Sequence, residues 1–123
     1  MNTSYWCILA AGLLPFAATG IAKFGTRFDN RNPRDWLARQ EGWRRRANAA
    51  QQNGFEAFPL FAAAVLVAQQ THAPAARVDA LALAFVGLRG GYLGAYLADL
   101  APLRSLLWMA GLGCCVALFF QGG

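Results

Sequence analysis

Between Tyr5 and Ala22 the chain carries no charged residue, and between Ser105 and Phe120 it again carries none. Two further blocks hold one charge each, Glu56 within Ala47 to Ala68 and Arg89 within Ala80 to Ala98. With its flanks, each block is long enough to cross a hydrocarbon core about 30 Å thick as a helix rising about 1.5 Å per residue. A soluble bundle would need a polar face along each helix, covering about half its circumference. The stretch from Leu103 to Phe120 offers none. The sequence therefore predicts an all-α integral membrane four-helix bundle in a single domain over residues 1–123, with spans near 4–22, 47–69, 80–98 and 104–121 and a basic loop over 23–46. The first block reads as a retained span and not a signal peptide, because Met1 to Tyr5 has no Lys or Arg and no small-x-small cleavage site follows.

The loop between the first two blocks holds Lys23, Arg27, Arg31, Arg34, Arg39, Arg44, Arg45 and Arg46 against Asp29, Asp35 and Glu41. Positively charged loops stay in the cytoplasm, so this loop and the connector around Asp99 and Arg104 are expected there, and both termini outside it. A basic segment is also a signature of nucleic-acid binding, but here no recognition motif accompanies the charge. Trp36 and Trp43, seven residues apart, and a helix start at Asn32-Pro33 suit an interfacial segment facing anionic headgroups. Cys7, Cys114 and Cys115 lie inside apolar blocks, with no Cys-x-x-Cys pair and no His at metal spacing, so they read as small buried hydrophobes and no metal is expected. His72 stands alone in a short connector and reads as a solvated loop residue without a role.

An ionisable side chain in hydrocarbon is costly, and one retained there usually faces a bundle interior with a partner or ligand. Counted from the cytoplasmic side, Glu56 enters from Arg46 and Arg89 from Asp99, each about 15 Å down its helix. Opposite charges at one depth predict a buried, hydrogen-bonded Glu56–Arg89 pair. Helical spacing puts Asn53 on the face of Glu56, and Arg89, Tyr92 and Tyr96 on one face of the next block, with Arg104 at the rim. One reading is that these polar groups only lock helices together. The other is a site, since a phenol and a guanidinium near the cytoplasmic mouth can bind carboxylates or stabilise a thiolate.

The segment Gln51-Gln52-Asn53-Gly54-Phe55-Glu56-Ala57-Phe58-Pro59-Leu60-Phe61 resembles the second-span signature of the membrane-associated proteins in eicosanoid and glutathione metabolism, the MAPEG family. Arg89-Gly90-Gly91-Tyr92-Leu93-Gly94-Ala95-Tyr96, followed by Ala101-Pro102-Leu103-Arg104-Ser105, is similar to that family's third span and its turn into the fourth. The resemblance implies a homotrimer with inter-subunit sites that open to the cytoplasm and take glutathione as co-substrate. It also implies a transferase or peroxidase acting on lipophilic electrophiles, and the short chain implies a bacterial, inner-membrane branch. By the same resemblance Arg104 and Tyr96 are catalytic, the arginine stabilising the thiolate, while Arg46, Gln51, Asn53, Glu56, Arg89, Tyr92 and Ser105 bind glutathione. Two departures are visible. Ala49 stands where catalytic members carry an arginine, and the loop after Tyr96 is short and offers Asp99 where prostaglandin-forming members have a basic residue. The alternative is a non-catalytic lipid-binding or scaffold member of the same family.

Overall fold

The computed structural model describes residues 2–122, and the regular structure among them is all α-helix. Its elements are α1 (Thr3–Lys23), α2 (Pro33–Ala38), α3 (Gly42–Gln70), α4 (Ala75–Leu97) and α5 (Ala101–Phe119). The connections 71–74 and 98–100 are too short for anything but antiparallel neighbours, so α3, α4 and α5 run down, up and down beside one another, with α1 packed on α3 and α4. Proline at its first position starts α2 within the basic loop.

Three helices, α1, α4 and α5, are long and apolar enough to cross a membrane. The fourth expected span corresponds to α3, which differs in kind. It is the longest, at 29 residues, but Arg44, Arg45, Arg46, Asn48, Gln51, Gln52 and Asn53 occupy its first turns, and only its later part is apolar. It therefore carries polar groups from the basic loop toward the middle of the bundle.

The helix ends are tied by side chains from their neighbours. At one end of the bundle the Asp79 carboxylate accepts the Ser4 N–H of α1 at 3.0 Å, and the buried Ser4 hydroxyl accepts from Gln69 Nε2 at 2.7 Å. At the other end two arginines from the start of α3 cap two different helices. Arg44 Nη2 donates to the Phe24 carbonyl that closes α1, at 2.7 Å, and Arg46 donates through Nε and Nη2 to the Leu97 carbonyl that closes α4, at 3.3 and 3.1 Å. Cations at helix C-termini satisfy orphan carbonyls and oppose the negative end of the dipole.

Two helices end in the same backbone motif. After α3, Ala73 N–H reaches the Ala68 carbonyl at 3.0 Å and His72 N–H reaches Gln69 at 3.2 Å; after α4, Leu100 N–H reaches Ala95 at 2.8 Å and Asp99 N–H reaches Tyr96 at 3.1 Å. These are Schellman closures, whose pivot residue takes the left-handed conformation. The pivots are His72 at φ 59° and Asp99 at φ 60°. His72 thus has an exposed ring, as a loop residue should, but a backbone that terminates α3.

The core is built from small residues and a few large ones. Ala64, Ala68 and Ala82 let the backbones approach, and Phe61 stacks on Phe85 with ring centroids 4.0 Å apart and planes 8° off parallel. α1 and α3 approach closely at Gly54, where a Cβ would sit 2.8 Å from Pro15 Cγ, a rigid ring that cannot swing aside. Gly54→Leu is therefore expected to lower stability by about 1–3 kcal/mol through overpacking, read as a reduced thermal midpoint in detergent. Gly20→Leu serves as its control, because nothing lies within 4 Å of the Cβ position there. Equal loss in both variants would argue against close packing at Gly54.

Candidate functional site

The polar first half of α3 meets α4 and α5 in a cleft made of two cavities. One, about 290 Å³, is lined by Asn53, Glu56 and Leu60 of α3, Phe85 and Arg89 of α4, and Trp108, Leu112 and Cys115 of α5 among others. The other, about 370 Å³, is lined by Asn53, Tyr92, Arg104, Ser105, Trp108 and Met109. Asn53 and Trp108 line both, so the two cavities adjoin and are described together as the cleft. The first part is the more apolar, and both carry polar groups: Asn53, Glu56 and Arg89 in the first, Asn53, Tyr92, Arg104 and Ser105 in the second.

Along this cleft two cations bracket a pair of aromatic rings. The Arg89 guanidinium carbon lies 4.2 Å from the Tyr92 ring centroid, Tyr92 and Tyr96 meet edge to face at 5.6 Å, and the Arg104 guanidinium carbon lies 4.4 Å from the Tyr96 centroid. The helical spacing of Arg89, Tyr92 and Tyr96 makes the first three members one stripe of α4, and the tight turn at Asp99 returns α5 so that Arg104 stacks on it. A guanidinium held over a ring face keeps its N–H donors in its own plane, so stacking fixes the group and leaves its hydrogen bonds available to an anion. Among the described residues neither Arg89 nor Arg104 makes an ion pair.

The expected Glu56–Arg89 ion pair is not formed. Among the described residues the one ion pair is Arg39–Asp35, at 3.1 Å on the surface of α2. Arg89 is 7% exposed and turns to the Tyr92 face, while Glu56 is exposed on the outer wall of the cleft. The two charges face one cavity from different helices, and the space between them replaces the contact. Asn53 adds a second signal. Its Oδ1 is buried and has no hydrogen-bond partner among the described residues, an omission that costs about 1–3 kcal/mol unless a bound group supplies the donor.

A family model, that of the MAPEG family, matches residues 3–123. The chain belongs to the MAPEG family. It is accordingly a multi-pass membrane protein of a family associated with eicosanoid and glutathione metabolism. No curated protein and no solved structure matches it.

Of the residues expected to form the MAPEG site, Asn53, Glu56, Arg89, Tyr92, Arg104 and Ser105 share the cleft, and Tyr96 supports it by carrying Arg104 on its ring. Gln51 and Arg46 do not line it. The Gln51 carboxamide takes the Thr19 hydroxyl of α1 as its hydrogen-bond partner, and the Arg46 guanidinium is engaged by the Leu97 carbonyl. Gln51 lines a third cavity of about 360 Å³ with Arg34, Asn48 and Glu56, the last of which also lines the cleft. Trp108 was not legible as a site residue, yet it lines both halves of the cleft. The available signal was its position four residues after Arg104, one turn along the same face of α5.

Proposed function

We propose that this MAPEG protein is a glutathione-dependent membrane transferase or peroxidase acting on lipophilic electrophiles, and that its cleft is the site. The observation that carries the reading is the pair of stacked guanidiniums, Arg89 and Arg104, with free in-plane donors beside the unpartnered carbonyl of Asn53. Glutathione brings carboxylates, amide N–H groups and a thiol. The carboxylates suit arginine forks, an amide suits Asn53, and the ammonium suits Glu56. Tyr92 and Ser105 add hydroxyls to the same wall.

In this reading Arg104 stabilises the thiolate. The thiol proton leaves to cytoplasmic water, the sulfur lone pair forms a bond to an electrophilic carbon, and the leaving group departs with its electron pair. A charged donor fixed before reaction costs no reorganisation when the charge develops, which is why such groups dominate catalysis. Tyr96 holds that donor in place. The apolar half of the cleft and the exposed face of α5 give access from lipid, while the basic loop keeps the mouth at the cytoplasmic surface with both termini on the opposite side. The protein acts as a homotrimer, and Gly87, Gly90 and Gly94 give α4 an open small-residue face against which a second copy packs.

The test is conjugate formation from glutathione and an activated aryl halide by the purified protein in lipid nanodiscs. Turnover above the uncatalysed rate supports the transferase reading. Binding without turnover supports the second reading, a non-catalytic lipid-binding or scaffold protein, which Ala49 favours by its lack of the charge that catalytic members have there.

A further inference from the structure

Arg46 lies at the start of α3, outside the cleft, and its guanidinium reaches the last carbonyl of α4. Leu97 follows Tyr96 directly, and the Tyr96 ring carries Arg104. Between Leu97 and the start of α5 at Ala101 lie three residues, pivoting on Asp99 in the left-handed conformation. Of the carbonyls at this helix end, those of Gly94, Ala95 and Tyr96 accept from Ala98, Leu100 and Asp99 at 3.0, 2.8 and 3.1 Å. The Leu97 carbonyl instead accepts the two N–H groups of Arg46. A turn this short transmits any shift at Leu97 to both members of the Tyr96–Arg104 stack.

We infer that Arg46 is a positioning residue: by clamping the end of α4 it fixes the turn that sets Arg104 over Tyr96 and aims it into the cleft. The inference rests on the proposed role of Arg104 and replaces the expectation that Arg46 touches glutathione. Two donors on one oxygen make a rigid attachment that a single flexible ammonium reproduces only in part. Arg44, two residues earlier on α3, caps α1 instead of this turn, so it provides a control for general loss of charge in the basic loop.

The experiment compares wild type, Arg46→Ala, Arg46→Lys and Arg44→Ala in nanodiscs, with glutathione as the probe. Three quantities are read: glutathione affinity by calorimetry, the thiolate fraction of bound glutathione by its ultraviolet absorbance, and amide exchange over 98–104. For Arg46→Ala the thiolate fraction is expected to fall about tenfold while affinity changes about twofold or less, with faster exchange in the turn. Arg46→Lys recovers part of the loss, and Arg44→Ala leaves all three near wild type. A large loss of affinity with the thiolate fraction of the bound ligand unchanged would overturn the inference, since Arg46 would then touch the ligand itself. So would unchanged exchange over 98–104. Absence of glutathione binding in wild type would instead defeat the proposed function, and the exchange measurement would still decide whether Arg46 holds the turn.

Discussion

Arg104→Ala is expected to lower the turnover number for conjugate formation about a hundredfold or more while changing glutathione affinity much less. The magnitude follows from removing one fixed donor from a developing anion in a low-dielectric site. Affinity survives because Asn53, Glu56, Arg89 and Ser105 line the cleft independently of it. The distinguishing variant is Arg104→Lys. It keeps a positive charge but loses the planar group that lies 4.4 Å from the Tyr96 centroid, and its activity is expected between wild type and alanine. Steady-state rates with glutathione saturating, paired with calorimetric binding, separate the two effects. If the alanine variant loses binding and turnover in proportion, Arg104 acts in ground-state binding and not on the thiolate.

The largest stability effect is expected at Phe61. Its side chain is fully buried and stacks on Phe85 at 4.0 Å, and Phe85 in turn forms the wall of the apolar part of the cleft. In lipid the helices are held by packing and not by exclusion from water, so the loss comes mainly from dispersion contacts and the void left behind. Phe61→Ala is expected to cost about 3 kcal/mol, read as a lower thermal midpoint, and Phe61→Leu distinctly less. Phe85 would lean into the vacated space and widen the cleft. The rate with bulky aryl substrates should then fall less than the rate with small ones, measured below the unfolding temperature.

The helical class and the position of the cleft were legible because membrane solvation writes both into the sequence. Blocks without charge declare helices, and the polar residues kept within them, Asn53, Glu56 and Arg89, declare where the cleft is. Partner choice was not legible. Depth alone matched Glu56 to Arg89, but depth says nothing about rotation around the helix axis, and in the fold Arg89 faces a ring of its own helix. The basic loop misled in a different way. Counted as charge it reports topology, yet Arg44 and Arg46 also cap α1 and α4, and a sequence does not reveal which distant carbonyl an arginine reaches. His72 and Asp99 were not legible as helix-ending pivots because helix ends of this type usually advertise themselves with glycine. The roles proposed for Arg104 and Tyr96 came from family resemblance, whereas their contact is a property of the short turn between α4 and α5.

In the proposed site the cleft binds glutathione through Asn53 and Arg89, while Arg104 meets the thiol. Calorimetric titration of the purified protein in nanodiscs with glutathione tests it most directly, with Asn53→Leu as the comparison, since leucine fills similar space without the carbonyl. The account predicts saturable binding in the wild type and about a tenfold weaker constant in Asn53→Leu, the loss of one hydrogen bond into a site already desolvated. No heat of binding in the wild type, or identical constants in the two proteins, would contradict it.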